Sequence, residues 1–523
     1  MKKIIITSIL FMIILLSASG TNKNPIRILQ PSQVHQKNLG NYEIETIDFN
    51  VEDKNIDGIS YSLKGTMSIP RINKKKKMKL AIIIPGYYND IDRYDKGFEY
   101  ITSYIAQNGY LAIAIDTSPV YYFKDNKNKE HINIPKIINE HISILKEAND
   151  GNNIYDNLNL KNKIELNKIA LISHRVNIED IFKIVQEQKI NKVNISSLLL
   201  ITPINNKYVS NVDVKNIAIL TSELDGTKGS YHGINIYNIL RKYKNNNILS
   251  MTLLKNANNS YFNSKLEEND ANQLNIDLKN QISREEQEEF LKRFVVDYLK
   301  SSFKNKYDNT IYDTKIPTVT KINNLDVINY LQTSKANNLK DIDNLNNYKA
   351  KNIKINLLND SNIISKDDLL EINIPKRKSE LIKLLNVKWE YKNGKLSFKP
   401  DISYFRKYDN ISINLILDPD NESNIKGKSQ SVCIELVDNI GKSQKIEISK
   451  DSNLISYPRG NLENFDMGDG REFRYWNQIT PVSNIRIPMV MYNTINLKNI
   501  KRFNIIFDRT NSGDLLFESF MLD

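Results

Sequence analysis

Residues 168–180, KIALISHRVNIED, place a hydroxyl at Ser173, an imidazole at His174 and a guanidinium at Arg175 in consecutive positions. A serine and a histidine suit acyl transfer when the imidazole takes the hydroxyl proton and a carboxylate orients the imidazole. The spacing argues against that pairing. The apolar run 169–172 reads as a buried strand, and adjacent strand residues point to opposite faces, so Ser173 and His174 are poorly placed to exchange a proton. The stretch 178–186, IEDIFKIVQ, has helical spacing, so the segment predicts strand, tight turn and helix. Such a turn lifts its central residue above the sheet, where a nucleophile would work. In the simplest register that residue is Arg175, with Ser173 and Asn177 where small residues would relax the turn. An arginine stays protonated and cannot attack a carbonyl. Its donor fork can hold a carboxylate or phosphate, or pair with a neighbouring acid.

Asp225 is the candidate for that acid. It opens an Asp-Gly pair after the apolar run 217–221, and it is expected to act as a turn residue that also pairs with Arg175. The five histidines are His35, His131, His141, His174 and His232. No cluster of His, Cys and Asp has metal-ligand spacing, so neither a metal nor a cofactor is expected.

The elements that must position these residues follow from patterning. Residues 1–20 hold Lys2, Lys3, an apolar run at 4–16 and the small residues 17–20, which predicts an export signal cleaved near Gly20, with an uncleaved anchor as the alternative. Residues 21–41 are polar and read as a loose leader. From 42 to 304, buried runs at 80–84, 110–116, 169–172, 196–202, 217–221 and 248–254 alternate with helical stretches such as 134–148 and 284–302. That alternation predicts the α/β class, a doubly wound, mostly parallel sheet with 42–50 and 59–70 as an antiparallel edge. Residues 305–322 read as a linker. From 323 to 523, short alternating strands between turns predict a C-terminal antiparallel β-sandwich of jelly-roll type, with a charged helical or linking segment at 361–384.

The formal net charge is +12, spread over many lysines with one dense run at 74–77. An exported protein of that charge is drawn to anionic surfaces such as cell-wall polymers or lipid headgroups. Nothing resembles a nucleic-acid module, so nucleic acid is not an expected partner. Cys433 is the one cysteine, so no intrachain disulfide forms and core packing must hold the chain together.

In order along the chain, several motifs resemble a family of secreted bacterial α/β-hydrolases of the dienelactone-hydrolase and lipase type that carry a C-terminal β-sandwich. They are PGYYND at 85–90, FEYITSYIAQNGYLAIAID at 98–116, the strand–turn–helix at 168–180, LTSELDGTKGSYHG at 220–233, NANNSYFN at 256–263 and the closing strands at 485–523. The resemblance implies an α/β-hydrolase fold and a triad in the order nucleophile, acid, histidine. The matching positions hold Arg175, Asp225 and Asn259, so only the acid keeps its type. It also implies an oxyanion hole from the backbone N–H groups of Tyr87 and Val176, which side-chain changes do not remove. The expected function is therefore that of a secreted pseudo-hydrolase acting by binding at the cell surface or outside, through the former cleft or the sandwich, with an unidentified ligand for which an anion is one candidate. The alternatives are a working carboxylic-ester or acyl hydrolase using relocated residues, and a two-domain surface scaffold without chemistry.

Overall fold

The computed structural model describes residues 26–36, 40–56, 59–72, 77–86, 88, 92–122, 132–155, 158–204, 212–227, 229–243, 246–274, 276–359, 383–466, 472–476, 480 and 482–523. The expected export signal, residues 74–76 of the basic run, Tyr87, His131 and most of the segment 361–384 lie outside them.

Two short strands come first, β1 (Ile26–Leu29) and β2 (Ser32–Val34). A long antiparallel ribbon follows, β3 (Ile44–Ile56) with β4 (Ile59–Pro70). The continuous apolar runs then form β5 (Met78–Pro85), β6 (Leu111–Ile115), β7 (Ile164–His174), β8 (Ile195–Ile201), β9 (Asn216–Ser222) and β10 (Ile248–Leu254). Runs without polar alternation are stable only when both faces are covered. Helices α1 (Glu99–Gln107), α2 (Ser118–Tyr122), α3 (Ile134–Asp150), α4 (Ile178–Ile190), α5 (Gly229–Leu240) and α6 (Arg284–Lys304) separate these strands or follow them. The cores beneath the helices hold Ile138, Ile181 and Ile236 on one face and Ile101, Phe290 and Phe294 on the other. Capping is local and legible: Asn133 caps α3, Asn177 caps α4, and Ser283 with Glu286 forms a capping box on α6.

Past residue 318, β11 (Val319–Ile322) and β12 (Leu325–Gln332) fold back onto the same sheet, with β12 antiparallel to β10 and β2 parallel to β11. The result is an eleven-stranded mixed sheet in the order β2-β11-β12-β10-β9-β8-β7-β5-β6-β4-β3. Beyond it, two further sheets share a core that contains Leu385, Trp389, Ile434, Phe503, Phe517 and Phe520. One holds Val432–Asp438, Ser443–Ile448, Ile500–Phe507, Gly394–Phe398 and Lys349–Lys351; the other holds Lys354–Asn359, Lys383–Trp389, Gly513–Leu522, Asn410–Leu417 and Ser483–Pro488.

These findings correct the expected fold class. A helix-rich α/β-hydrolase architecture does not describe the chain: strand outweighs helix, 38% against 24%, and the described residues hold six α-helices beside large mixed sheets. The antiparallel edge expected at 42–50 and 59–70 forms as β3 and β4, but β11 and β12 add antiparallel pairing at the opposite flank, so the sheet is mixed. The two halves also exchange strands. Residues 325–332, read as part of the sandwich, pair with β10, while β1, read as loose leader, pairs in parallel with Ser443–Ile448. The physical reason is edge satisfaction. An exposed sheet edge carries a row of unpaired N–H and C=O groups, and these short segments cover such edges across long sequence separations.

Candidate functional site

Five neighbouring parallel strands bring one end each to a single place. β5 exits to Gly86 and Tyr88, β7 ends at His174, β8 leads to Thr202, β9 to Asp225 and Thr227, and β10 to Asn259. In open parallel sheets, ligands bind outside the carboxyl ends of the strands, which is where these residues lie. Two close approaches permit the convergence. A Cβ on Gly86 would lie 2.0 Å from the Arg175 carbonyl oxygen, and one on Gly226 would lie 2.0 Å from that of Asp270.

Arg175 occupies the turn between β7 and α4 with φ of 56°, a left-handed conformation that a side-chain-bearing residue adopts at a cost. Its N–H donates to the Ile201 carbonyl at 3.1 Å and fixes the turn against β8. The N–H of Val176 makes no hydrogen bond among the described residues and is left as a donor at the start of α4. Val176 thus retains the backbone group expected of it, while Tyr87 lies outside the described residues.

A chain of buried hydrogen bonds runs below the turn. The Tyr88 hydroxyl donates to His174 Nδ1 at 2.7 Å, and His174 Nε2 donates to Asn259 Oδ1 at 2.8 Å. The Thr202 hydroxyl donates to the same oxygen at 2.6 Å. Asn259 Nδ2 donates to Thr227 Oγ1 at 3.1 Å, and Thr227 Oγ1 donates to Asp225 Oδ1 at 2.6 Å. An amide oxygen only accepts, so the proton of His174 resides on Nε2, and Nδ1 must accept from Tyr88. Every bond points the same way, and the imidazole is neutral. Burial pulls the His174 pKa down to about 3; the Asn259 bond works against this, and the Arg175 charge adds to it. Phe98 and Phe262 stand edge-on to the imidazole, with ring centroids at 5.7 and 6.0 Å.

Asp270 holds the far side. Its carboxylate accepts from the backbone N–H groups of Gly226 at 2.9 Å and Ser260 at 2.8 Å, which ties the Asp225 loop to the Asn259 loop. Burial, and then the Asp270 charge, push the Asp225 carboxyl up to about 6. Asp225 Oδ2 is buried without a hydrogen-bond partner.

Asp225 and Asn259 therefore meet, through Thr227. Arg175 does not join them. The expected Arg175–Asp225 ion pair does not form within bonding reach: the guanidinium lies over the Tyr88 ring, 5.3 Å from its centroid, and its charge acts on Asp225 only through space. Arg175 is half-buried and makes no ion pair among the described residues. Ser173 Oγ is buried with no hydrogen-bond partner, and both nitrogens of its neighbour His174 are engaged elsewhere. His141 is also buried, on α3 against Phe49, remote in the fold from these loops, and His232 lies on α5. The sequence reading missed Tyr88, Thr202, Thr227 and Asp270. The first three each end or follow an apolar run, a weak signal for residues at strand exits. Nothing local marks Asp270.

The chain matches no protein-family model, and no curated protein is significantly similar to it.

Proposed function

We propose that this protein is an exported, non-hydrolytic binding protein that takes a small anionic group, a carboxylate or phosphate, on Arg175. The observation that carries the reading is the guanidinium at the head of the strand–turn–helix, part-buried and without a bonded ion-pair partner among the described residues, its charge acting on Asp225 only through space. A desolvated guanidinium gains most from a planar oxyanion that accepts two parallel bonds. The free N–H of Val176 and the start of α4 add donors and a positive helix end on the same side.

The same geometry argues against acyl transfer. A serine-type reaction needs a base able to accept the hydroxyl proton. His174 spends its lone pair on Tyr88, and Ser173 has no partner.

Calorimetric titration with acetate and with inorganic phosphate tests the reading. Saturable binding is expected, weakened at least 10-fold in Arg175→Gln, since a charge-assisted hydrogen bond is worth about 1.5–3 kcal/mol. Equal affinity in Arg175→Gln would overturn it.

A further inference from the structure

One end of the two-sheet unit has the chemistry of a membrane-docking tip. Three loops meet there: 399–409 before Asn410–Leu417, the hairpin turn 439–442, and 489–499 between Ser483–Pro488 and Ile500–Phe507. Cross-loop hydrogen bonds hold them together. Phe405 N–H donates to the Leu497 carbonyl at 2.9 Å, Asn439 N–H to Asn499 at 3.0 Å, and Met489 N–H to Asp409 at 2.8 Å. Each loop presents a large apolar side chain to solvent: Tyr404 is 43% exposed, Ile440 79% and Val490 77%. Three large apolar side chains exposed on loops that are hydrogen-bonded to one another form a candidate interaction surface.

Charge identifies what covers it. Arg406 and Lys407 flank Tyr404, Lys442 follows Ile440, and Lys498 lies on the third loop; all four are exposed and none forms an ion pair among the described residues. The nearby acids are already engaged. Asp438 accepts from Ile440 N–H and Asn496 N–H, Asp409 from Thr314, and Asp401 from Lys340. A soluble polyanion would satisfy the cations and leave the apolar tips in water. A bilayer containing anionic lipid satisfies both: the tips enter the interface while the basic side chains reach the headgroups.

We infer that this tip docks the protein on an anionic lipid surface, with Ile440 and Val490 inserted and Arg406, Lys407, Lys442 and Lys498 on the headgroups. The inference stands apart from the proposal for Arg175, which belongs to a different sheet.

The test places an environment-sensitive fluorophore on Ile440→Cys in the full chain; the native Cys433 is buried and will not compete for label. Tyr391→Cys serves as control, since Tyr391 is 72% exposed but sits in the turn at the opposite end of the strands. Vesicles of phosphatidylcholine with about a third phosphatidylglycerol should blue-shift the label at 440 and leave that at 391 unchanged. Pure phosphatidylcholine should require at least 10-fold more lipid, and so should the label at 440 when Lys442→Gln and Lys498→Gln are added. Because the readout is local, attachment through any other segment does not mimic it. No shift at 440, an equal shift at 391, or the same shift with soluble polyphosphate in place of vesicles would each overturn the inference.

Discussion

Replacing His174 with glutamine should flatten the acid limb of the stability curve by an amount that can be worked out from its burial. The imidazole is fully enclosed and neutral, with its pKa held at about 3 against 6.5 in the unfolded chain. Its folded value is depressed, so its contribution is whole above pH 6.5 and declines as pH falls, because the unfolded chain takes up a proton that the folded chain refuses. The decline continues down to about pH 3. From pH 6.5 to pH 5 it spans 1.5 pH units at about 1.36 kcal/mol each, or about 2 kcal/mol. Urea denaturation of the natural chain and of His174→Gln at pH 7 and pH 5 measures it. The buried carboxyls of Asp225, Asp297 and Asp514, raised to about 6, 6 and 7, act in the opposite direction, gaining stability as pH falls. The informative quantity is therefore the difference between the two proteins. The natural chain should lose about 2 kcal/mol more than the variant over that interval. Parallel behaviour of the two would refute a neutral, enclosed His174 and with it the direction of the whole hydrogen-bond chain.

Three further outcomes are expected. Thr227→Val leaves the Asn259 amide without its acceptor and Asp225 Oδ1 with only the backbone N–H of residue 227, and should lower stability by about 1–3 kcal/mol in thermal unfolding; Thr202→Val, which leaves Asn259 Oδ1 with its bond to His174, should cost less. Asp225→Asn should stabilise the protein above pH 6, where the natural carboxylate is charged and buried, by up to about 3 kcal/mol, with the gain fading as pH falls to 4; an unchanged midpoint at pH 8 would contradict the burial argument. Arg486 is enclosed where the two-sheet unit meets β12, with Nε and Nη1 unpartnered, Asn329 accepting from Nη2, and the charges of Asp523 and Asp313 acting on it only through space, so Arg486→Met should be near neutral, and a loss of more than about 3 kcal/mol would mean the guanidinium is paired in solution.

The buried runs were legible because continuous apolar stretches this short, bounded by turn residues, suit strands covered on both faces, and the turn at Arg175 because strand and helix periodicities meet there. Asp225 and Asn259 were placed by motif order, and they do come together. Their linkage was not legible. It depends on Thr227 turning its hydroxyl between them and on Asp270 tying two loops from a distance, neither of which leaves a local pattern. The expected ion pair at Arg175 failed for a similar reason. Pairing was inferred from proximity of strands, whereas the guanidinium lies over the aromatic face of Tyr88. The class assignment missed the weight of the edges. Segments such as Ile26–Leu29 and Val319–Ile322 are four residues long, too short for periodicity to reveal, and their partners lie hundreds of positions away.

The central claim is that the site at Arg175 binds an anion and does not perform acyl chemistry. Intact-mass spectrometry after incubation with a fluorophosphonate tests it most directly, since the reagent marks any serine whose hydroxyl is activated by a base. The geometry predicts no adduct, because Ser173 is buried without a partner and His174 has no free lone pair. A stoichiometric adduct on Ser173, lost in His174→Ala, would contradict the account and identify a working hydrolase.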